Sequence, residues 1–170
     1  MAISRFYWLL DGALAGCSRP GAGSGRGGAS VDRGAPDTRA LDDDLDWLRE
    51  RGIGAVLSLT ETPLQAGALE RHELVGLHIP VDDLTAPAPE QLERALTFID
   101  QQLRAGHAVA VHCLMGQGRT GTVLAAYQIR AGHTAPEALA ELRAICPGAI
   151  GTSEQERALQ AFAQRRDWIV

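Results

Sequence analysis

The amino-acid sequence predicts one α/β domain with a central, mainly parallel sheet flanked by helices. Apolar runs typical of buried strands, such as 53–59 and 108–111, alternate along the chain with longer amphipathic segments typical of helices. One of these strands leads directly into a cysteine, Cys113, which a further helix follows. Parallel sheets of this kind bind ligands at the carboxyl ends of their strands. The length of 170 residues fits a single domain over 1–170.

The first 36 residues are expected to form a hairpin and a loop. Residues 5–16 predict two short strands, because the Asp11-Gly12 dipeptide between them is a strong hairpin signal. The segment 18–36 is rich in glycine, with five glycines within eight residues, and has little apolar surface, so a flexible loop is expected there. Its arginines, among them Arg19, are interpreted as solvated, with contact to an acidic partner as the alternative.

Helices and strands alternate through the rest of the sequence. A helix is expected from residue 37 or 38 to about 51, and its acidic run Asp42-Asp43-Asp44 is interpreted as solvated and as complementing the helix dipole. Apolar spacing and capping patterns predict the later elements. They are a strand at 53–59, a short helix at 63–72, a strand at 74–79, a helix from Pro89 to before Gly106, a strand at 108–111, a helix at 122–129, and helices that begin after Thr134 and at Ser153.

Composition and charge narrow the classes of function. A net charge of −5 at pH 7 argues against a nucleic-acid partner and against binding to an anionic membrane surface. No apolar run approaches the ~18 residues that a membrane-spanning helix needs. Three widely spaced cysteines, Cys17, Cys113 and Cys146, do not form a disulfide framework and suit a reducing compartment. We therefore expect a cytoplasmic monomer with no membrane partner.

The stretch from His112 to Gly121, HCLMGQGRTG, has the chemistry of a phosphate site. A strand delivers Cys113 into a glycine-bearing loop that opens a helix, and backbone N–H groups in such a loop form an anion nest at the positive end of the helix dipole. Arg119 adds a planar fork that matches two phosphate oxygens. The same surroundings favour the thiolate, which is the nucleophilic form of cysteine. The alternative is a structural cysteine near an unrelated arginine.

This pattern predicts phosphoryl transfer to sulfur, followed by hydrolysis of the thiophosphate. Backbone amides and Arg119 would stabilise the charge, so neither a metal nor another cofactor is expected. A general acid is needed to protonate the leaving oxygen, and Asp82 and Asp83 are the candidates, because they follow a strand about 30 residues before Cys113. Two solvated aspartates are the alternative. The predicted phosphate ligands are Leu114, Met115, Gly116, Gln117, Gly118 and Arg119.

The loop resembles the signature of the protein tyrosine phosphatase superfamily, and the chain is similar to its small atypical dual-specificity phosphatases. The resemblance covers nearly the whole chain except 18–36, and it implies the cysteine-phosphatase fold. It also implies that Asp83, four residues before Pro87-Ala88-Pro89, is the general acid, and that Thr120 eases departure of the thiolate. The segments that carry it are Trp8 to Gly16, Val56 to Glu61, Ile79-Pro80, Asp83 to Gln91 and the Cys113 loop.

Three further positions follow from the same resemblance. His112 would orient the loop and tune Cys113, although a histidine that is merely satisfied at a strand end is an equal alternative. Gln155 matches a glutamine of the family, with an exposed helical glutamine as the alternative. Gly151 departs from the family, which has an acidic residue just before Thr152 that shapes the hydrolysis step.

Together these residues predict a protein phosphatase that acts on phosphotyrosine, with phosphoserine and phosphothreonine as further candidates, in a phosphorylated protein or peptide partner. One alternative is a phosphatase for a phosphoinositide or an RNA end. Lipid-phosphate members of the superfamily often carry lysines in the loop, and Leu114, Met115 and Gln117 supply none. The other alternative is a phosphate-binding adaptor without turnover, against which the joint presence of Cys113, Arg119 and Asp83 argues.

Overall fold

The structure is a computed structural model, and it describes residues 3–22 and 38–166. Most of the segment predicted as a flexible loop, 18–36, lies outside these residues. No helix within the described ranges is long and apolar enough to cross a membrane. The elements are β1 (Phe6–Leu10), β2 (Leu14–Cys17), α1 (Thr38–Glu50), β3 (Ile53–Ser58), α2 (Ala68–Arg71), β4 (Val75–His78), α3 (Pro89–Arg104), β5 (Ala108–His112), α4 (Gly118–Arg130), α5 (Ala135–Ile145) and α6 (Ser153–Arg166).

The five strands form one sheet in the order β1-β2-β5-β3-β4, which confirms the predicted fold class. Only β1 and β2 pair antiparallel, as the Asp11-Gly12 turn requires, and the other three pairings are parallel. In the register, His112 at the end of β5 lies between Cys17 of β2 and Ser58 of β3. The carboxyl ends of these strands therefore meet at one edge of the sheet, with β5 in the middle.

Helices cover both faces of the sheet, and the residues of β5 pack against helices on each face. Val109 and Val111 belong to the core cluster shared with α3, α4, α5 and α6, whereas Ala108 and Ala110 belong to the cluster shared with α1 and α2. All five residues of β5 are buried. A central parallel strand needs such an uninterrupted apolar run, because neither of its faces contacts water.

Two helices differ in length from their predictions. The helix after the phosphate loop was expected at 122–129, but α4 begins at Gly118, inside the loop itself. The helix expected at 63–72 is reduced to Ala68–Arg71. The residue before it, Gly67, has a left-handed φ of 76°, so the helix cannot extend further toward the N-terminus. The capping box predicted at the start of α5 is confirmed, since Glu137 N–H donates to Thr134 Oγ1.

Two groups interpreted as solvated are instead bonded within the protein. Asp44 is fully buried and accepts hydrogen bonds from the N–H groups of Ile3 (3.3 Å) and Gly21 (2.8 Å). Arg19 donates to Thr60 Oγ1 at 2.9 Å, and burial lowers the pKa of its guanidinium. The first residues of the predicted loop are thus part of the packed domain, and Asp44 ties them to α1.

A histidine between two carboxylates links α1 to α2. His72 Nε2 lies 2.8 Å from Asp42 Oδ1, and His72 Nδ1 lies 2.8 Å from Asp46 Oδ1. Burial opposes the charged imidazole, but the bonds to both carboxylates outweigh it and raise the pKa of His72 above its ordinary 6.5. The bond to His72 in turn lowers the pKa of Asp42 below its ordinary 3.8.

His72→Gln is expected to destabilise the protein more at about pH 5.5 than at about pH 8.5. A raised folded-state pKa stabilises fully below the unfolded value, and that stabilisation is lost as pH rises through the folded value. The lowered pKa of Asp42 keeps its carboxylate charged throughout this range. Urea unfolding of both proteins at each pH measures the difference. His107→Gln, which removes a histidine bonded to the Gln102 amide, is the control, and an equal pH trend in both variants would contradict the ion-pair account.

Candidate active site

The predicted phosphate loop connects β5 to α4 at the sheet edge where the parallel strands end. Cys113 directly follows β5 and is buried with 3% exposure, and Arg119 in the first turn of α4 is 2% exposed. Gly116 has a left-handed φ of 73°, and a Cβ there would lie 2.5 Å from the backbone carbon of Cys17. The loop therefore packs directly on the end of β2, and only glycine fits at this point.

Donors elsewhere in the chain hold the carbonyl groups of this loop. The N-terminal hairpin and the residues next to it supply three of these bonds, Arg19 N–H to Leu114 O (3.0 Å), Arg5 Nη1 to Met115 O (2.6 Å) and Tyr7 Oη to Gly116 O (2.8 Å). Within 3–22 and 38–166, no N–H group from Leu114 to Gln117 donates to a protein acceptor. Tying the carbonyls to the surrounding protein leaves these N–H groups for an anion, which is the arrangement of a nest.

His112 holds the carbonyl at the start of the loop. Its Nδ1 lies 3.1 Å from Cys113 O, and its Nε2 lies 2.7 Å from Ser58 Oγ. Since a carbonyl oxygen only accepts, Nδ1 carries the proton and Nε2 accepts from the Ser58 hydroxyl. Burial lowers the pKa of His112 to about 4. The imidazole is therefore neutral near pH 7, and this geometry favours the orienting role predicted for it.

Arg119 is held by three acceptors. Its Nη1 donates to Glu61 Oε2 (3.0 Å) and to Val81 O (2.8 Å), and its Nη2 lies 3.0 Å from Asp83 Oδ1. The pKa of Glu61 is lowered by a bond from its own backbone N–H, and then by the bonds from Arg119 and from the N–H of Asp83. No spacing rule in the sequence marks Glu61, because the contact joins residues 58 positions apart.

Of the two candidate acids, Asp83 is the one that meets the phosphate loop. Its carboxylate pairs with Arg119 and also accepts the N–H of Leu84 at 3.0 Å. Leu84 has a left-handed φ of 63°. In the part of the chain that the structure describes, Asp82 bonds only through its backbone carbonyl, which accepts from Thr85. The two neighbouring aspartates thus have different surroundings, and of their two carboxylates only that of Asp83 pairs with Arg119 among the described residues.

A model of one protein family matches residues 27–133, which is more than half of the chain and includes Asp83, Cys113 and Arg119. Its description is Tc-R-P, polymorphic toxin system, DSP-PTPase phosphatase. The chain belongs to this family of DSP-PTPase phosphatases. The predicted relationship to small dual-specificity phosphatases is thereby confirmed.

The sequence identity between this phosphatase and individual known proteins is low. The chain is 29% identical over 126 residues to phosphatidylglycerophosphate phosphatase PTPMT2 of Arabidopsis thaliana. This match covers 71% of this chain and 55% of that protein. The chain is 27% identical over 125 residues to tyrosine-protein phosphatase CDC14 of Candida albicans, with 73% and 23% covered. The crystal structure of Tk-PTP in its G95A mutant form is similar at a TM-score of 0.76 and 31% identity, with 95% and 97% covered. The chain thus spans about half or less of these two curated relatives.

Two buried side chains beside the loop of this phosphatase each carry an oxygen without a hydrogen-bond partner among the described residues, namely Thr120 Oγ1 and Gln155 Oε1. Gln155 is 1% exposed, so its interpretation as an exposed helical glutamine is wrong. Its Nε2 donates to Thr85 O at 3.1 Å, and a Cβ on Gly118 would lie 2.9 Å from that nitrogen. Gln155 therefore lies between the loop that carries Asp83 and the phosphate loop.

The other side chains of the loop face outward. Leu114 and Met115 are 46% and 52% exposed, and Gln117 donates to Pro147 O at 2.9 Å, so their predicted contact with phosphate is left to their backbone N–H groups. Gly151 is exposed, and a Cβ there would make only an ordinary contact with Gly148 O. The backbone at Gly151 can thus carry a Cβ without a clash, although this chain has no side chain there.

The other two cysteines have surroundings unsuited to a nucleophile. Cys17 is fully buried in the cluster under α1, and burial raises its pKa. Burial likewise raises the pKa of Cys146. Both thiols therefore stay protonated near neutral pH, and a protonated thiol is a poor nucleophile.

Gly116→Ala is expected to lower kcat/KM by roughly 100-fold, because the new Cβ would push the nest away from the backbone of Cys17. Gly106→Ala is the matched control, since Gly106 has a similar φ of 84° but a Cβ there would meet none of the described atoms within 4 Å. The control should lose about 1–2 kcal/mol of stability from the left-handed backbone and keep its activity. Assays with p-nitrophenyl phosphate and thermal melts of both variants separate backbone strain from the clash with Cys17. Equal activity in Gly116→Ala and Gly106→Ala would contradict an effect of the clash on catalysis.

Proposed function

We propose that this chain is a cysteine-dependent protein phosphatase that hydrolyses phosphotyrosine, with phosphoserine and phosphothreonine as further candidate substrates. The observation that carries the proposal is the ion pair between Asp83 and Arg119 beside the buried Cys113. It supports a site in which an acid, a phosphate-binding fork and a nucleophile act on one phosphoryl group. We also propose that residues 1–170 act as a single phosphatase domain.

In the first step, the N–H groups from Leu114 to Arg119 and the Arg119 guanidinium bind the phosphate oxygens. The Cys113 thiolate attacks phosphorus, a sulfur–phosphorus bond forms, and the bond from phosphorus to the substrate oxygen breaks. Asp83 gives its proton to that leaving oxygen. The nest and Arg119 stabilise the charge that spreads over the phosphoryl oxygens.

In the second step, water attacks the thiophosphate, Asp83 accepts a proton from that water, and the sulfur–phosphorus bond breaks to release phosphate. The free Oγ1 of Thr120 supports a hydrogen bond to the departing thiolate. The free Oε1 of Gln155 supports a role for this residue in orienting the attacking water, because it is a buried acceptor between Asp83 and the phosphate loop. Gly151 supplies no carboxylate to this step, and Gln155 would act without one.

The side chains around the nest favour a protein substrate over a lipid headgroup. Leu84, Leu114 and Met115 give the rim exposed apolar surface, against which an aromatic ring can pack. The neighbouring cations, Arg5 and Arg19, are already bonded to protein oxygens. A phosphoinositide or RNA end would bring additional phosphates to a protein with a net charge of −5. The buried, unpaired thiols also support a reducing compartment such as the cytoplasm.

Cys113→Ser is expected to abolish turnover of a phosphotyrosyl peptide while phosphate binding persists, because the amides and Arg119 remain. Arg119→Lys should also be inactive, since an ammonium cannot replace the two-pronged fork. Steady-state assays in the presence of EDTA and titration with inorganic phosphate measure both effects.

The same assays separate the rival functions. Faster turnover of phosphatidylglycerophosphate or a phosphoinositide than of the peptide would replace the proposed substrate class and keep the chemistry. Activity of more than a few per cent of wild type in Cys113→Ser would refute the covalent mechanism. Phosphate binding by a wild-type protein with no turnover would indicate the adaptor.

Asp83→Ala is expected to lower kcat by roughly 10²–10⁴ on substrates with poor leaving groups, and by less on p-nitrophenyl phosphate, whose leaving group needs little protonation. Activity requires Cys113 as thiolate and Asp83 protonated, so the wild-type pH profile should be bell-shaped. Asp83→Ala should flatten the alkaline limb, which reports loss of the acid's proton. Asp82→Ala is the control and should stay within a few-fold of wild type at every pH. The reverse pattern would assign the acid to Asp82.

A further inference from the structure

Glu61 connects the two halves of the proposed chemistry through its two carboxylate oxygens. It lies in the connection from β3 to α2, outside the phosphate loop. Its Oε2 accepts from Arg119 Nη1 at 3.0 Å, and its Oε1 accepts the backbone N–H of Asp83 at 2.9 Å. One side chain thus bonds both the phosphate-binding arginine and the backbone of the proposed acid.

The bond to Asp83 matters because little else fixes that residue. The Asp83 side chain is 56% exposed, and the next residue, Leu84, is 69% exposed in a left-handed conformation. The carboxylate of Asp83 pairs with Arg119, but an acid must release that partner to protonate a leaving oxygen. The backbone bond to Glu61 is independent of this exchange, so it can hold the residue in place when its carboxyl group turns to the substrate.

The bond to Arg119 orients the guanidinium. Glu61 and Val81 O both accept from Nη1, which fixes one edge of the planar group. Fixing one edge of a rigid fork also fixes where the remaining donors point. The bond from its own backbone N–H and the bonds from Arg119 and Asp83 N–H lower the pKa of Glu61, so its carboxylate stays charged near neutral pH.

We propose that Glu61 is a positioning residue that sets the placement of Asp83 relative to the phosphate held by Arg119. This inference rests on the proposed function of Asp83 and Arg119. Loss of Glu61 leaves the acid present but misplaced, and a displacement of about 1 Å can lower a rate by about 100-fold. The loss should therefore grow as the leaving group becomes poorer, as it does when the acid itself is removed.

The test measures kcat/KM for a series of aryl phosphates with leaving groups of increasing basicity. Glu61→Ala should fall by roughly 10–100-fold on the poorest leaving group and by only a few-fold on p-nitrophenyl phosphate. Glu61→Gln offers one acceptor oxygen to two donors and should lie between wild type and Glu61→Ala. Glu70→Ala, which removes an exposed glutamate on the neighbouring α2, is the matched control and should follow wild type.

A double variant makes the test specific to Asp83. Adding Glu61→Ala to Asp83→Ala should cause no further dependence on the leaving group, because there is no acid left to position. An equal loss for every leaving group in Glu61→Ala, with Asp83→Ala still selective, would overturn the inference and leave Glu61 as a support for Arg119 alone. If the loss in Asp83→Ala does not depend on the leaving group, the proposed function of Asp83 is wrong, independently of Glu61. Thermal melts of each variant show whether a loss of activity is caused by unfolding.

Discussion

The bonds that hold the carbonyl groups of the loop between β5 and α4 are the constraint on which the proposed anion site depends. A loop of free peptide groups presents donors and acceptors alike, and an acceptor facing phosphate repels it. Here Arg5, Tyr7 and Arg19, which lie in or next to the N-terminal hairpin, hold three successive carbonyls. The parallel pairing of β2 with β5 brings that hairpin against the loop, so the sheet topology and the nest depend on each other.

The ion pairs around Arg119 relate binding to protonation under the proposed mechanism. Two carboxylates, Glu61 and Asp83, already face the guanidinium, and a phosphate dianion beside both would meet like charges. Under that mechanism the acid must leave its ion pair to protonate a leaving oxygen, and a bound phosphate would take the place of Asp83 on Arg119. Phosphate binding and the release of Asp83 for proton transfer are therefore linked in the proposed mechanism.

Local patterns in the sequence were enough to predict the sheet, most helices and the loop that joins β5 to α4, because each depends on neighbouring residues and apolar periodicity. The choice of Asp83 over Asp82 came from family resemblance, since spacing alone cannot tell adjacent aspartates apart. Arg5 and Tyr7 had no signal, because their loop contacts span 110 and 109 residues. Asp44 was misjudged for the same reason, as its donors lie on segments distant in sequence.

The supports of the site extend beyond the region that the family model matches, 27–133. That region contains Cys113, Arg119, Asp83 and Glu61, but the N-terminal residues that bond the carbonyls of Leu114, Met115 and Gly116 precede it. Gln155, which contacts both the phosphate loop and the loop of Asp83, follows it on α6. Under the proposed mechanism, the residues from His112 to Gly121 supply the reacting groups, but side chains at both ends of the described chain hold the backbone around them.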